Sequence, residues 1–204
     1  MASKNSAALT GKPLILPCLL PCRPMALRST IYKAQLSVAD VDRGYYADHA
    51  LTLARHPSET EERMMVRVLA FALHASESLS FGRGLSSEDE PDLSEYDDTG
   101  NLMLWVEVGL PDEKWIRKAA ARTRRMVLML YGGMRANLWW RQNGASLDRF
   151  ERLSVVQCDE AGTLALARLA DRNMTLSCTI QEGDVLISDG RESVSVKLTT
   201  LKAV

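Results

Sequence analysis

Residues 102–131 contain two long apolar stretches separated by a helix signal. The first, LMLWVEV at 102–108, carries apolar side chains on both faces of a strand, and the second, MVLMLY at 126–131, is apolar throughout. Strands of this kind are typical of the buried middle of a sheet. Between them, Pro111 and the acidic residues after it favour a helix start, and we expect that helix to reach about Arg125. The chain should therefore be an α/β protein whose central strands are covered by helices.

Hydrophobic periodicity and turn residues predict the elements on either side of this region. In chain order they are an N-terminal hairpin of strands 29–42 and 45–56, a helix over 58–76, a short strand at 79–84, an acidic loop or irregular strand edge at 86–101, a helix around 135–143, a strand at 152–158, a helix at 160–170, and C-terminal strands over 174–201. This order predicts an α/β sheet flanked by helices, with the hairpin and the C-terminal strands added to it.

The helix over 58–76 has the clearest start signal in the chain. Ser58 can cap it, and Glu61, three residues later, completes a capping box. Met65, Leu69 and Leu73 recur at helical spacing, so they should form the buried face.

Composition limits the possible partners and the number of domains. The chain has 204 residues, 46% of them hydrophobic, with 25 basic and 26 acidic side chains. That is enough apolar material for one core, and a net charge of -1 means that a nucleic-acid partner would need a local basic patch. Apolar runs long enough for a membrane helix are absent, so no membrane partner is expected. The four cysteines do not require an oxidising compartment, which favours the cytoplasm.

The first 24 residues differ from the rest of the chain. Their segment PLILPCLLPCRP holds four prolines, which would interrupt any helix, and it has no patterned element. We expect residues 1–24 to be a disordered extension and residues 25–204 to form a single domain.

Glu107 is the one charged residue in the apolar strand 102–108. Because side chains alternate along a strand, it should share a face with Met103 and Trp105. It lies near the C-terminal end of the strand, where binding sites in α/β sheets are usually assembled. The alternative is that the strand has already reached solvent there, where a glutamate has no special role.

Three further carboxylates are candidates to join Glu107. Glu62 lies in line with the buried helix face, Glu59 lies on the same side one turn earlier, and Asp92 precedes Glu107 by 15 residues (107 minus 92). Carboxylates that converge in this way suit Mg²⁺ or Mn²⁺. Glu59 could instead only favour the helix dipole, and Asp92 could belong to a solvated acidic loop.

Several segments together resemble one known family. They are MALRSTIYKA, LTLARHPSETEERMM, DEPD, LWVEVGLPDE, IRKA, WW and ADRNMTL, and they span the chain from Met25 to its end. In these segments the chain is similar to the YaeQ family. The resemblance implies a variant PD-(D/E)XK nuclease-like fold, the core found in restriction endonucleases, with a mixed sheet between helices and carboxylates at one edge.

The resemblance also assigns roles to the candidate carboxylates. Asp92 in Pro91-Asp92 would be the PD element, Glu107 would open the (D/E)XK element, and Glu62 or Glu59 would be the glutamate of the first core helix. Glu62, Glu59, Asp92 and Glu107 would then bind the metal, and Asp92 and Glu107 would take part in catalysis.

One position departs from the nuclease pattern. Gly109 stands where a nuclease has its lysine, and Lys118 or Lys114 on the following helix could replace that lysine as a catalytic residue. Two hypotheses follow: a metal-dependent phosphodiesterase that acts on nucleic acid, or a nuclease-like fold kept as a binding or regulatory module. The basic stretch RKAAARTRR at 117–125 is either a phosphate-backbone surface or a solvated helix face.

Overall fold

A computed structural model describes residues 29–82 and 90–204 of the chain. The predicted extension 1–24, and part of the acidic segment, lie outside the described residues. The strands are β1 Thr30–Asp40, β2 Tyr45–Arg55, β3 Leu79–Phe81, β4 Leu93–Tyr96, β5 Leu102–Val108, β6 Arg125–Leu130, β7 Leu153–Cys158, β8 Asn173–Gln181, β9 Asp184–Ser188, β10 Ser193–Val196 and β11 Leu198–Lys202. The helices are α1 Glu61–His74, α2 Glu113–Ala120, α3 Met134–Leu147 and α4 Glu160–Ala167.

The strands form two mixed sheets, where the sequence led us to expect one. The outer sheet has the order β10-β9-β8-β1-β2, and the central sheet has the order β11-β7-β6-β5-β4-β3. Strands β5, β6 and β7 are parallel in the middle of the central sheet, as their apolar sequences require. The predicted α/β class is confirmed, but a single sheet is wrong, because β8 pairs with β1 and not with the central strands.

The outer sheet is built around the predicted N-terminal hairpin. β1 and β2 pair in an unbroken antiparallel register from Thr30 opposite Arg55 to Asp40 opposite Tyr45. Alternate residues of β1 and of β8 are buried, which places one apolar face of this sheet on the core. The other face of the sheet is exposed.

Within residues 29–82 and 90–204, the layers of sheet and helix enclose two hydrophobic cores. The larger core fills the space between the two sheets and contains α1 and residues of α4. The second core lies on the opposite face of the central sheet, under α2 and α3. Within α1 every residue from Met64 to Ala72 is buried, as expected for a helix enclosed on all sides. Among the described helices, none is both long and apolar enough to cross a membrane.

The start of α1 differs from the prediction by two residues. Thr60 is the N-cap, and its side chain accepts a hydrogen bond from the Arg63 backbone N–H at 3.1 Å. The Ser58 hydroxyl instead lies 2.6 Å from Nδ1 of His56, and Glu61 pairs with Arg55 on the surface. The predicted capping box at Ser58 is therefore wrong, because His56 engages the Ser58 hydroxyl and Arg55 engages the Glu61 carboxylate.

The helix after β5 is shorter than predicted at both ends. Asp112 is its N-cap and accepts a hydrogen bond from the Trp115 backbone N–H at 2.6 Å, so Pro111 lies before the helix. The helix ends at Ala120 because the chain must turn back to enter β6, and the Thr123 hydroxyl donates to the Leu102 carbonyl at this turn. The basic stretch 117–125 therefore runs from helix through turn to strand.

Candidate functional site

A pocket of about 420 Å³ opens at the C-terminal ends of β5 and β6. The residues that matter for its chemistry are Glu62 and Arg63 from α1, Glu107 and Gly109 at the end of β5, Tyr131 after β6, and Arg135 in the first turn of α3. This is the edge of the sheet at which α/β proteins usually bind ligands. The pocket therefore joins one residue predicted from β5 with one predicted from α1.

Arg63 forms the wall of the pocket nearest to the core. Its guanidinium donates to Oε1 of Glu59 at 2.8 Å, and to both carboxylate oxygens of Asp92 at 2.9 and 2.7 Å. The two carboxylates raise the pKa of Arg63 against the opposing effect of burial. Since only 12% of its side chain is exposed, these pairs are shielded from solvent screening.

Arg67 lies one turn further along α1 and is completely buried. Its Nη1 donates to both carboxylate oxygens of Glu59 at 3.3 Å, and its Nε lies 3.3 Å from Oδ1 of Asp92. Two arginines and two carboxylates thus form one buried network of zero net charge. Within the described residues Nη2 of Arg67 has no hydrogen-bond partner, although the guanidinium lies over the Phe81 ring at 5.5 Å.

Asp92 also fixes the end of strand β5. Its Oδ2 accepts a hydrogen bond from the Val108 backbone N–H at 2.8 Å, in addition to the bond from Arg63. The residue is only 4% exposed. All of these contacts use the oxygens that a metal ion would need, so Asp92 has a structural role in this arrangement.

Glu107 shares a face with Trp105, as predicted, and its Oε2 accepts a hydrogen bond from the indole N–H of Trp105 at 3.2 Å. Burial, followed by the negative charge of Asp92, raises the pKa of Glu107 to about 8. The bond from Trp105 and the charge of Arg63 oppose this shift but are smaller. At neutral pH Glu107 is therefore mostly a neutral carboxylic acid that can donate a hydrogen bond into the pocket.

Glu62 lines the same pocket from the start of α1. Its Oε1 accepts a hydrogen bond from the hydroxyl of Thr163, which is fully buried on α4. The bond is 2.7 Å long and orients the carboxylate. Glu62 is half-buried, which agrees with its predicted place at the margin of the buried helix face.

The predicted metal ligands do not meet as one free set. Glu59 and Asp92 are held by the arginines, whereas Glu62 and Glu107 line the pocket. Over residues 29–82 and 90–204, no group of three or more His, Cys, Asp or Glu side chains could hold a metal ion. A site of four carboxylates does not fit this geometry, and the donors left for a cation are the two pocket glutamates.

The two candidate lysines lie elsewhere on the surface. Lys114 and Lys118 are exposed on α2, and neither is among the residues that line the pocket. The pocket cations are Arg63 and Arg135, which sequence reasoning did not identify. Arg67 could have been found from the sequence, because it interrupts the apolar run MMVRVLAFAL. A helix that is apolar on all sides is buried, so an arginine inside it must be buried too.

Most of the chain is similar to proteins of one known family. A family model described as YaeQ protein matches residues 25–198 of the chain. The chain belongs to the YaeQ family. The YaeQ protein of Salmonella typhi is 47% identical over 175 residues, which cover 86% of this chain and 97% of that protein, and the Escherichia coli YaeQ protein is 46% identical over the same length. The resemblance seen in the sequence is thereby confirmed.

Two solved structures extend the comparison to the fold. The crystal structure of YaeQ from Xanthomonas axonopodis pv. citri has a TM-score of 0.84 and 45% identity, and it covers 86% of this chain and 99% of its own. The YaeQ structure from Pseudomonas syringae has a TM-score of 0.82 at 38% identity, with 86% and 97% covered. The two-sheet α/β architecture is thus shared with YaeQ-family proteins.

Proposed function

We propose that this YaeQ-family protein binds a nucleic-acid phosphodiester in the pocket without hydrolysing it, as a nuclease-like binding module. The observation that carries the proposal is that hydrogen bonds already occupy both carboxylate oxygens of Asp92. Both of its oxygens accept hydrogen bonds from Arg63, and one also accepts from the Val108 N–H. A cation at Asp92 would have to displace a buried arginine, which costs several kcal/mol when the freed charge stays unpaired.

The polar groups of the pocket suit a singly charged phosphodiester. Arg135 is exposed at the mouth, Arg63 is partly accessible, and Glu107 is mostly protonated at neutral pH. Because Glu59 and Asp92 neutralise Arg63 and Arg67, the charges left in the pocket are the positive Arg135 and the negative Glu62, and a protonated Glu107 adds a hydrogen-bond donor without adding negative charge. A guanidinium at the mouth and a carboxylic acid deeper inside can donate hydrogen bonds to different phosphate oxygens.

The backbone at Gly109 supports binding without turnover. Gly109 has φ +129°, a conformation that side chains rarely adopt, although a Cβ there would meet nothing within 4 Å. The obstacle to the usual nuclease lysine is therefore backbone conformation and not space. Restoring a lysine at 109 would require a different path between β5 and α2.

The test measures binding and cleavage on the same samples. Fluorescence anisotropy with labelled DNA and RNA oligonucleotides should show binding that Arg135→Ala weakens by more than about tenfold, the scale of one charge-assisted hydrogen bond. Arg191→Ala, an exposed arginine in the turn between β9 and β10, is the matched control and should bind like wild type. Gel analysis in Mg²⁺ or Mn²⁺ should show intact oligonucleotide. Binding that is indifferent to Arg135 would contradict the proposal.

A second candidate function is metal-dependent hydrolysis of nucleic acid. It is favoured by one observation, that Glu62 and Glu107 line the same pocket. Mg²⁺ is often held by one or two carboxylates together with substrate phosphates, so Glu62 and Glu107 would be its protein ligands. The ion would supply an activated water and offset charge on the phosphate. Glu107 would have to lose its proton to act as a ligand, so metal affinity should rise with pH towards 8.

The same binding and cleavage experiment distinguishes hydrolysis from binding alone. Oligonucleotide cleavage that requires Mg²⁺ or Mn²⁺, and that Glu107→Gln and Glu62→Gln each abolish, would establish it over the binding module. Mn²⁺ should then also raise the melting temperature of the wild type and not that of Glu107→Gln. Equal stabilisation of both proteins would place the metal elsewhere.

A further inference from the structure

We propose that a second surface, at the opposite end of the central sheet, binds single-stranded nucleic acid. We call it the arginine end and define it by Arg117, Arg124, Arg125, Arg149, Phe150 and Arg152. Strand β6 separates it from the pocket, because Arg125 begins this six-residue strand and Tyr131 follows its end. At about 3.3 Å per residue the two sites are about 20 Å apart. The proposal does not depend on the function of the pocket.

The fold brings these arginines together from distant parts of the sequence. Met126 pairs with Leu153 across β6 and β7, and the Met126 N–H donates to the Arg152 carbonyl at 2.8 Å. Arg125 and Arg152 therefore enter the sheet side by side, on backbones about 4.8 Å apart. The Arg124 N–H donates to the Leu102 carbonyl, which ties the turn that carries Arg124 to the same edge.

A shallow pocket of about 320 Å³ lies within this surface. Its basic residues are Arg117, Arg149 and Arg152, and its apolar part is formed by Phe150 with the alanines that end α2. The guanidinium of Arg149 lies over the Phe150 ring at 5.0 Å. Phe150 is half-buried against the second core, and its exposed part lies beside these arginines, where a base can stack while neighbouring phosphates pair with arginine.

The surface keeps a positive charge after its acidic neighbours are counted. Glu113 pairs with Arg117 at 3.0 Å and also with Arg149, and Glu151 lines the shallow pocket. Within the shallow pocket, Arg117, Arg149 and Arg152 against Glu113 and Glu151 leave one positive charge (3 minus 2). The pairs to Glu113 are exposed, so they are weak and can exchange for phosphate contacts.

A single strand fits this surface better than a duplex. The chain has a net charge of -1, so its attraction to nucleic acid must come from a local patch of this kind. In a duplex the bases are stacked on one another and cannot reach Phe150, whereas unstacked bases can.

The experiment measures how tightly the full chain and its variants bind a fluorescent single-stranded 20-nucleotide oligonucleotide at several salt concentrations. Arg149→Ala/Arg152→Ala should bind more weakly and reduce the slope of log K against log salt by about 1.4, that is about 0.7 for each phosphate that these arginines neutralise. Phe150→Leu keeps an apolar side chain but not the ring, and should weaken binding at least about fivefold. The losses caused by the arginine-end substitutions should be as large when Arg135→Ala is also present, because Arg135 lies in the pocket and not at the arginine end.

The matched control is Arg168→Ala/Arg191→Ala, which removes two exposed arginines from other parts of the surface. Unchanged binding in the arginine-end variants, or an equal loss in the control, would overturn the proposal. Duplex bound as tightly as single strand, with no effect of Phe150→Leu, would overturn the single-strand assignment. Displacement of the oligonucleotide by polyglutamate at equal charge concentration would point to an acidic protein partner and also overturn it. Thermal melts of each variant show whether it is folded.

Discussion

Replacing Glu107 by glutamine should stabilise the protein at neutral pH and leave its stability unchanged in acid. Glutamine has the same shape and still offers an oxygen to the indole N–H of Trp105. In the folded chain burial and the charge of Asp92 raise the pKa of Glu107 to about 8, against a usual value of 4.5. Between these two pH values the folded state holds a proton that the unfolded state has lost, so the free energy of unfolding falls as the pH rises.

The size of the effect follows from the width of that window. Each pH unit between 4.5 and 8 lowers the free energy of unfolding by at most about 1.4 kcal/mol. At pH 7 the free energy of unfolding of Glu107→Gln should therefore exceed that of wild type by at most about 3 kcal/mol, and this difference levels off above pH 8. For a chain of this length, about 3 kcal/mol corresponds to a melting temperature about 6 to 12 °C higher. The gain should be close to zero at pH 4, where both states of the wild type are protonated.

Urea denaturation of both proteins in EDTA, at pH 4, 5.5, 7 and 8.5, measures this difference directly. Glu192→Gln, an exposed glutamate in the turn between β9 and β10, is the control and should show no pH-dependent difference from wild type. The reasoning would be refuted if Glu107→Gln were about 2 kcal/mol less stable at pH 7. That result would mean that Glu107 is an ionised partner of Arg63 with a lowered pKa.

Three further outcomes are expected. Asp92→Asn should lower the free energy of unfolding by about 3–5 kcal/mol in urea denaturation, because it leaves buried arginine charge without its partner; a loss below about 1 kcal/mol would contradict the buried network. Thr60→Ala should lower it by about 1 kcal/mol and Ser58→Ala by less than about 0.5, and the reverse order would restore the predicted capping box. A chain that starts at Met25 should melt within about 4 °C of the full chain, since residues 1–24 hold no patterned element, and calorimetry would detect a larger drop.

The local elements could be predicted from the sequence because their signals are local. The two apolar strands, the hairpin and α1 follow from periodicity and from turn residues within each segment. The division into two sheets could not be predicted, because an alternating strand such as β8 fits any sheet with one exposed face. Its pairing with β1 depends on residues about 140 positions away, and no local pattern records such a partner.

The candidate site likewise has residues that local sequence reveals and residues whose role depends on distant partners. Glu107 could be found because a single charge in an otherwise apolar strand can be recognised from a few neighbouring residues. The role of Asp92 could not, because its partners Arg63 and Arg67 precede it by 29 and 25 residues (92 minus 63 and 92 minus 67). Ion pairs between distant residues decide whether a carboxylate is available to a metal, and they appear only when the fold is known.

The parallel pairing of β1 with β8 has a consequence for synthesis of the chain. Lys33 of β1 pairs with Asn173 of β8, so 140 residues (173 minus 33) separate the two partners. At about 5–20 residues per second, the ribosome needs about 7 to 28 s to supply the second strand. During that time the hairpin exposes the inner edge of β1, an unpaired strand edge that other chains can join. Nascent chains of this protein should therefore be most prone to aggregation before residue 173 has emerged, and least dependent on chaperones after it.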